Sequence, residues 1–144
     1  MAKRILVPLG KREADQAVLL TVAALARDSG ATVRLLRVYP IPDHIVGPHG
    51  RTVAYVDQEM DSLSRQGVME LTAIADTTLD GVPVETVVRF GDPGAEILIE
   101  AEVFGAELIA LTTTERSRLR RALIGDTADH VTRKAAVPAL VLRA

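Results

Sequence analysis

The chain has 144 residues, no cysteine, and 17 basic against 19 acidic side chains, for a net charge of −2. That length suits one domain with one core. The missing cysteines exclude a disulfide framework, a thiolate metal site and a cysteine nucleophile, and the charge balance calls for neither a nucleic-acid nor a membrane partner. Aromatic residues make up 3% of the chain, too few rings for base-stacking recognition of single strands. The 48% hydrophobic share lies mostly in Ala, Val, Leu and Ile, the material of a parallel sheet covered by helices.

The basic start Met1-Ala2-Lys3-Arg4 precedes only five apolar-type residues, Ile5 to Leu9. A secretory signal needs about 7–15, so none is expected and the expected location is cytoplasmic. The longest apolar stretch, Ala17 to Ala26, falls well short of the roughly 20 residues of a membrane span.

Ile5-Leu6-Val7-Pro8-Leu9, ended by Gly10, reads as a buried strand. Residues 13–29 read as a helix with Ala14, Ala17, Val18, Thr21 and Leu25 on its inner face and Gly30 as its stop. Thr32 to Val38 is a second strand. Tyr39 to Thr52 holds Pro40, Pro42, Gly47, Pro48 and Gly50, which suit neither helix nor central strand, so residues 39–52 are expected to form a long loop, a candidate lid. From Val53 to Leu79 the helical period returns, with Val56, Met60, Leu63, Gly67, Leu71, Ile74 and Thr78 in one stripe.

Val84 to Val88 is a third strand. Asp92 then suits an N-cap and Pro93 the first helical position, with Ile97, Leu98, Ala101 and Phe104 inward and Gly105 as stop. Leu108 to Leu111 is a fourth strand. A polar, arginine-rich stretch follows, then a last helix capped by Asp126 with Ala128, Val131 and Ala135 inward, and a fifth strand at Ala139 to Leu142. Strictly alternating strands and helices predict a doubly wound α/β fold: a five-stranded parallel sheet with right-handed crossovers and helices on both faces, a flavodoxin-like three-layer sandwich. Ligands of such sheets bind outside the carboxyl ends of the strands, where the winding reverses. The candidate positions are therefore Gly10-Lys11-Arg12 and Thr112 onward.

Enzyme signatures are missing. There is neither a G-x-S-x-G elbow nor a G-x-x-x-x-G-K-[ST] phosphate loop, and no base–nucleophile pair is visible. The first strand ends in Gly10, Lys11 and Arg12 rather than the carboxylates of a magnesium-dependent phospho-acceptor. His44 and His49 share the 39–52 loop and could hold a metal with Asp43 or Asp57, but no further ligand cluster supports one, and solvated loop histidines are the simpler reading. His130 reads as a surface residue of the last helix.

The most specific pattern is spread over the chain. It comprises the Ile5–Leu9 strand, Gly91-Asp92-Pro93-Gly94-Ala95-Glu96-Ile97-Leu98, Gly105-Ala106-Glu107-Leu108-Ile109, Gly125 before a capped helix, and Val137-Pro138-Ala139-Leu140-Val141. In these segments the whole chain resembles the universal stress protein family. The resemblance implies strand order 3-2-1-4-5, a homodimer paired through the fifth strand (Ala139, Leu140, Val141, Leu142), and often ATP or AMP in the crevice. An apolar edge strand would itself call for pairing or covering.

ATP-binding members of that family carry G-x-x-G after the fourth strand, then nine residues, then G-S or G-T. Counted back from Gly125, Thr112 stands at the first glycine and Glu115 at the second, and Asp126 replaces the Ser or Thr. Gly10 stands at the family's usual acidic position after the first strand. Asp126 and Glu115 would repel a phosphate, while Arg116, Arg118, Arg120 and Arg121, with Lys11 and Arg12, would attract one.

The expectation is a stress-response domain with a degenerate nucleotide site and no standard ATP binding or other cofactor, acting through dimerisation and protein interaction. The alternatives are an ATP/AMP switch and a small-molecule carrier with 39–52 as lid. The residues implied around a nucleotide are Pro8, Gly10, Val38, Thr112, Arg116, Ser117, Gly125, Asp126 and Thr127, with Val38 by the base.

Overall fold

A computed structural model describes residues 3–10, 16–42, 52–113 and 127–143. The elements are β1 (Arg4–Pro8), α1 (Ala17–Ser29), β2 (Thr32–Tyr39), α2 (Thr52–Thr78), β3 (Val84–Phe90), α3 (Pro93–Phe104), β4 (Leu108–Thr113), α4 (Thr127–Lys134) and β5 (Ala139–Arg143). All strand pairs are parallel, in the order β3-β2-β1-β4-β5. No helix among the described residues is long and apolar enough to cross a membrane.

Side chains alternate across the sheet and build two cores. On one face, Ile5, Val7 and Leu9 of the β1 segment and Val33 and Leu35 of β2 pack with Val18, Leu19 and Val22 of α1 and Leu71 and Ala75 of α2. On the other, Leu6, Leu36, Ile109 and Leu111 pack with Ile97 and Phe104 of α3 and Ala128 and Val131 of α4. Helix ends follow local chemistry. The Asp92 carboxylate accepts from the Ala95 N–H at 3.0 Å, Pro93 opens the helix, and Gly105 closes it in the left-handed region at φ 72°.

The inner face of α1 differs from the expected one. Val18 is buried as anticipated, but Ala17, Thr21 and Leu25 are exposed, and Leu19, Val22, Ala23 and Ala26 face the sheet instead, while Ala14 lies outside the described residues. The helix is apolar almost all round, so periodicity alone does not choose a face. The candidate lid also needs correction at its ends. Tyr39 is the last residue of β2, buried and 5.8 Å from the Phe90 ring, and Thr52 already belongs to α2. The bulk of that segment, 43–51, including His44 and His49, lies outside the described residues.

Two glycines mark where helices come closest to their neighbours. A Cβ on Gly67 of α2 would sit 2.7 Å from Val88 Cγ2 and 3.1 Å from the Tyr39 hydroxyl. A Cβ on Gly94 of α3 would sit 2.6 Å from His130 Cδ2, so His130 is a half-buried packing residue of α4 rather than a purely surface one.

Charge enters the second core through Glu100 of α3, whose side chain is 3% exposed. It accepts from Arg34 Nη1 at 2.6 Å and from Arg89 Nη1 at 3.1 Å. Arg34 also reaches Glu85 and lies 4.2 Å from the Phe104 ring centroid, and Arg89 reaches Glu96 at 3.0 Å. Burial works against the Arg34 cation, but hydrogen bonds to Glu85 and Glu100 outweigh it and raise its pKa. For Arg89, the hydrogen bond to Glu96 leads the same net rise.

Two stability tests follow. In Gly67→Ala the gain in helix propensity, up to about 1 kcal/mol, meets a clash with a β-branched side chain that has few rotamers to escape into. A net loss of about 1–3 kcal/mol is expected in urea unfolding. Glu100→Gln removes the buried carboxylate shared by two partly exposed guanidinium groups while Glu85 and Glu96 remain, so a loss of about 1–3 kcal/mol is expected by the same measurement.

Candidate functional site

The winding reverses between β1 and β4. Pairing between β1 and β2 runs as far as Pro8 opposite Leu36, but β1 and β4 pair only at Ile5–Leu108 and Leu6–Ile109. The β1–β4 ladder stops there because Pro8 brings no N–H to the β4 side, and the crevice in which an α/β sheet receives ligands lies at these carboxyl ends.

Hydrogen bonds along β1 alternate between its two neighbours. The Thr32 N–H of β2 donates to Lys3 O, the Glu107 N–H before β4 donates to Arg4 O, and the Leu9 N–H donates to Leu36 O of β2. Odd residues therefore face β2 and even residues face β4. Pro8 lies on the β4 side, where its missing N–H costs no ladder bond with β2.

A buried arginine holds the rim of this crevice. Arg37 of β2 is 4% exposed, and its Nε donates to Leu9 O at 3.3 Å and its Nη2 to Gly10 O at 3.1 Å. Its Nη1 pairs with the Glu70 carboxylate of α2, which also accepts from Gln66 Nε2 at 3.0 Å. The charge is thus compensated and the fork is used on both carbonyls, as a buried guanidinium requires.

The described members of the expected site gather at this end of the sheet. Pro8 ends β1 and Gly10 is exposed two residues later. Val38, near the end of β2 and opposite Arg89, is partly buried against the core shared with α3 and α4. Thr112 lies inside β4, opposite Leu142, because the strand runs on to Thr113. Thr127 opens α4. By strand alternation Pro8 and Val38 share the α3/α4 face, while Thr112 points to the other. Arg116, Ser117, Gly125 and Asp126 lie outside the described residues, as do Lys11, Arg12 and Glu115.

Arg37 and Glu70 were absent from the expected site. A signal existed: Arg37 interrupts the apolar run Leu35-Leu36-Arg37-Val38 of a strand flanked on both faces by helices, where an unpaired charge would be prohibitive. Among the described residues no group of three or more His, Asp or Glu is placed to hold a metal ion.

Known proteins match this architecture along its whole length. The curated universal stress protein MJ0531 of Methanocaldococcus jannaschii is 23% identical over 141 residues, covering 98% of this chain and 82% of its own. The solved structure of hypothetical protein MJ0577 superposes with a TM-score of 0.77 at 24% identity, covering 100% of this chain and 97% of that one. A universal stress protein crystallised in complex with cAMP superposes with a TM-score of 0.70 at 14% identity, covering 99% and 97%. The model of the universal stress protein family matches residues 1–143. With its 3-2-1-4-5 sheet and its β1/β4 reversal, the chain belongs to the universal stress protein family.

Proposed function

We propose that the protein is a stress-response domain whose crevice takes an adenine nucleotide of low charge, a monophosphate or cyclic monophosphate. On this reading it does not hold ATP on a glycine-lined phosphate loop. The observation that carries the reading is the conformation at Thr112. At the position where ATP-binding relatives have their first glycine, β4 continues in extended, ladder-paired form. A residue spending its backbone on a strand ladder does not form the concave run of amides that cradles phosphate.

Charge supports the same conclusion. Glu115 and Asp126 stand at the other two departures from the phosphate pattern. Like charge beside a ligand disfavours binding in proportion to the ligand charge, so a triphosphate suffers more than a cyclic phosphate with a single negative charge. The four arginines between 116 and 121 can still hold one phosphate group by bidentate hydrogen bonds. The structural relative crystallised with cAMP makes that ligand a natural first probe.

The domain acts as a homodimer in this proposal. Among the described residues β5 has a strand neighbour only in β4, so its outer edge is the open end of the described sheet. Ala139, Leu140, Val141 and Leu142 are half-buried there, and a second copy paired antiparallel across a two-fold axis would cover the edge. Protein partners beyond that copy would read the nucleotide-dependent surface.

Calorimetric titration tests the ligand reading. cAMP and AMP are expected to bind, and MgATP to bind at least about tenfold more weakly. Glu115→Gly combined with Asp126→Ser is expected to raise MgATP affinity by about tenfold or more. Tight MgATP binding by the unaltered protein would overturn the reading. For assembly, light scattering at micromolar concentration is expected to return twice the 15.5 kDa chain mass, and a monomer mass would count against the β5 dimer.

A further inference from the structure

Leu9 O and Gly10 O are successive carbonyls, which in a continuing strand would point to opposite sides. Here both converge on one guanidinium, that of Arg37. The chain therefore leaves the strand path at Gly10, and Arg37 pins the departure.

The pinning has a stereochemical consequence at the preceding peptide. Leu9 O is directed to β2, where Arg37 is rooted, and the Leu9 N–H also bonds to β2. No peptide among the described residues is cis. A planar trans peptide sends its N–H opposite to its C=O, so the Gly10 N–H faces away from β2, toward β4. On that side the β1–β4 ladder has already ended, at Leu6 opposite Ile109. Gly10 has no side chain to cover the amide, and among the described residues that amide has no acceptor.

We propose that the Gly10 N–H is a ligand donor in the β1/β4 crevice and that Arg37 is its positioning residue, anchored through Glu70 to α2. The donor would meet an acceptor atom of the bound nucleotide, a ring nitrogen or an oxygen. This rests on the adenine-nucleotide reading and adds to it a polarity: at this rim the protein offers a hydrogen, not a carboxylate lone pair. It also links α2 to the site, since the Glu70 carboxylate on that helix holds the guanidinium whose other nitrogens hold the rim.

The test uses the full chain labelled with nitrogen-15 and titrated with cAMP. The Gly10 amide is expected to be among the resonances that shift most. Gly10→Pro removes that donor and is expected to weaken cAMP by about tenfold, whereas Gly10→Ala adds a side chain but keeps the N–H and stays within about threefold of the original affinity. Arg37→Lys retains the positive charge beside Glu70 but loses the fork. It is expected to move the ligand-free Gly10 resonance and weaken cAMP by about tenfold. Binding of cAMP without a Gly10 shift, or equal losses in the Pro and Ala variants, would overturn this inference and leave the nucleotide reading standing. Complete failure of cAMP and AMP to bind the unaltered protein would instead remove the nucleotide reading and, with it, the ligand role of Gly10.

Discussion

β1 carries hydrogen-bonded neighbours on both edges and buried side chains on both faces, so it has no exposure to spare for polar groups. The two cores meet across it, with Ile5 and Val7 on one side and Leu6 on the other. Because the chain winds outward from β1 in both directions, its carboxyl end is also where no crossover covers the sheet. The strand that organises packing is therefore also the one whose carboxyl end borders the ligand crevice. Its ladder with β4 ends after Leu6 because Pro8, facing β4, has no N–H to extend it.

Charges that the fold buries are spent on fixing relative positions. Glu100 ties α3 to β2 and β3 through Arg34 and Arg89, and Arg37 ties α2 to the end of β1. Each buried charge has a counter-charge and further hydrogen bonds, the condition under which ion pairs survive away from water. Replacing such pairs by well-packed apolar side chains is often neutral or stabilising, but the pairs are directional. Arg37 aims two carbonyls, something an apolar contact cannot do. At Gly67 and Gly94 the missing Cβ leaves room for the side chains of Val88, Tyr39 and His130 to pack against α2 and α3.

In the proposed function, the balance lies between attraction by the arginines of 116–121 and repulsion by Glu115 and Asp126. Neither sign wins by count alone. On that proposal ligand charge would decide, since repulsion grows with each phosphate while bidentate attraction saturates once one phosphate is held. Thr112 in an extended strand weighs in the same direction, because it withholds backbone amides from a second and third phosphate.

Number, type and sequence of the elements were legible in the residues themselves, because hydrophobic period, Asp92-Pro93 and the stops at Gly30 and Gly105 act within a few residues of chain. The α2 stripe through Gly67 and Leu71 was legible for the same reason. Strand order came from resemblance to a family, since alternation alone permits other windings. The departures at Thr112, Glu115 and Asp126 could likewise be seen in the sequence by counting from Gly125, and that at Gly10 from its place after the first strand. Only the tertiary structure decided which face of the all-apolar α1 meets the sheet, and that Tyr39 belongs to β2 rather than to a loop. It alone gave Arg34 a partner 66 residues away and Arg37 one 33 residues away. Local pattern records what a segment prefers. A buried charge is settled by which distant segment arrives beside it, and that is a property of the packed sheet.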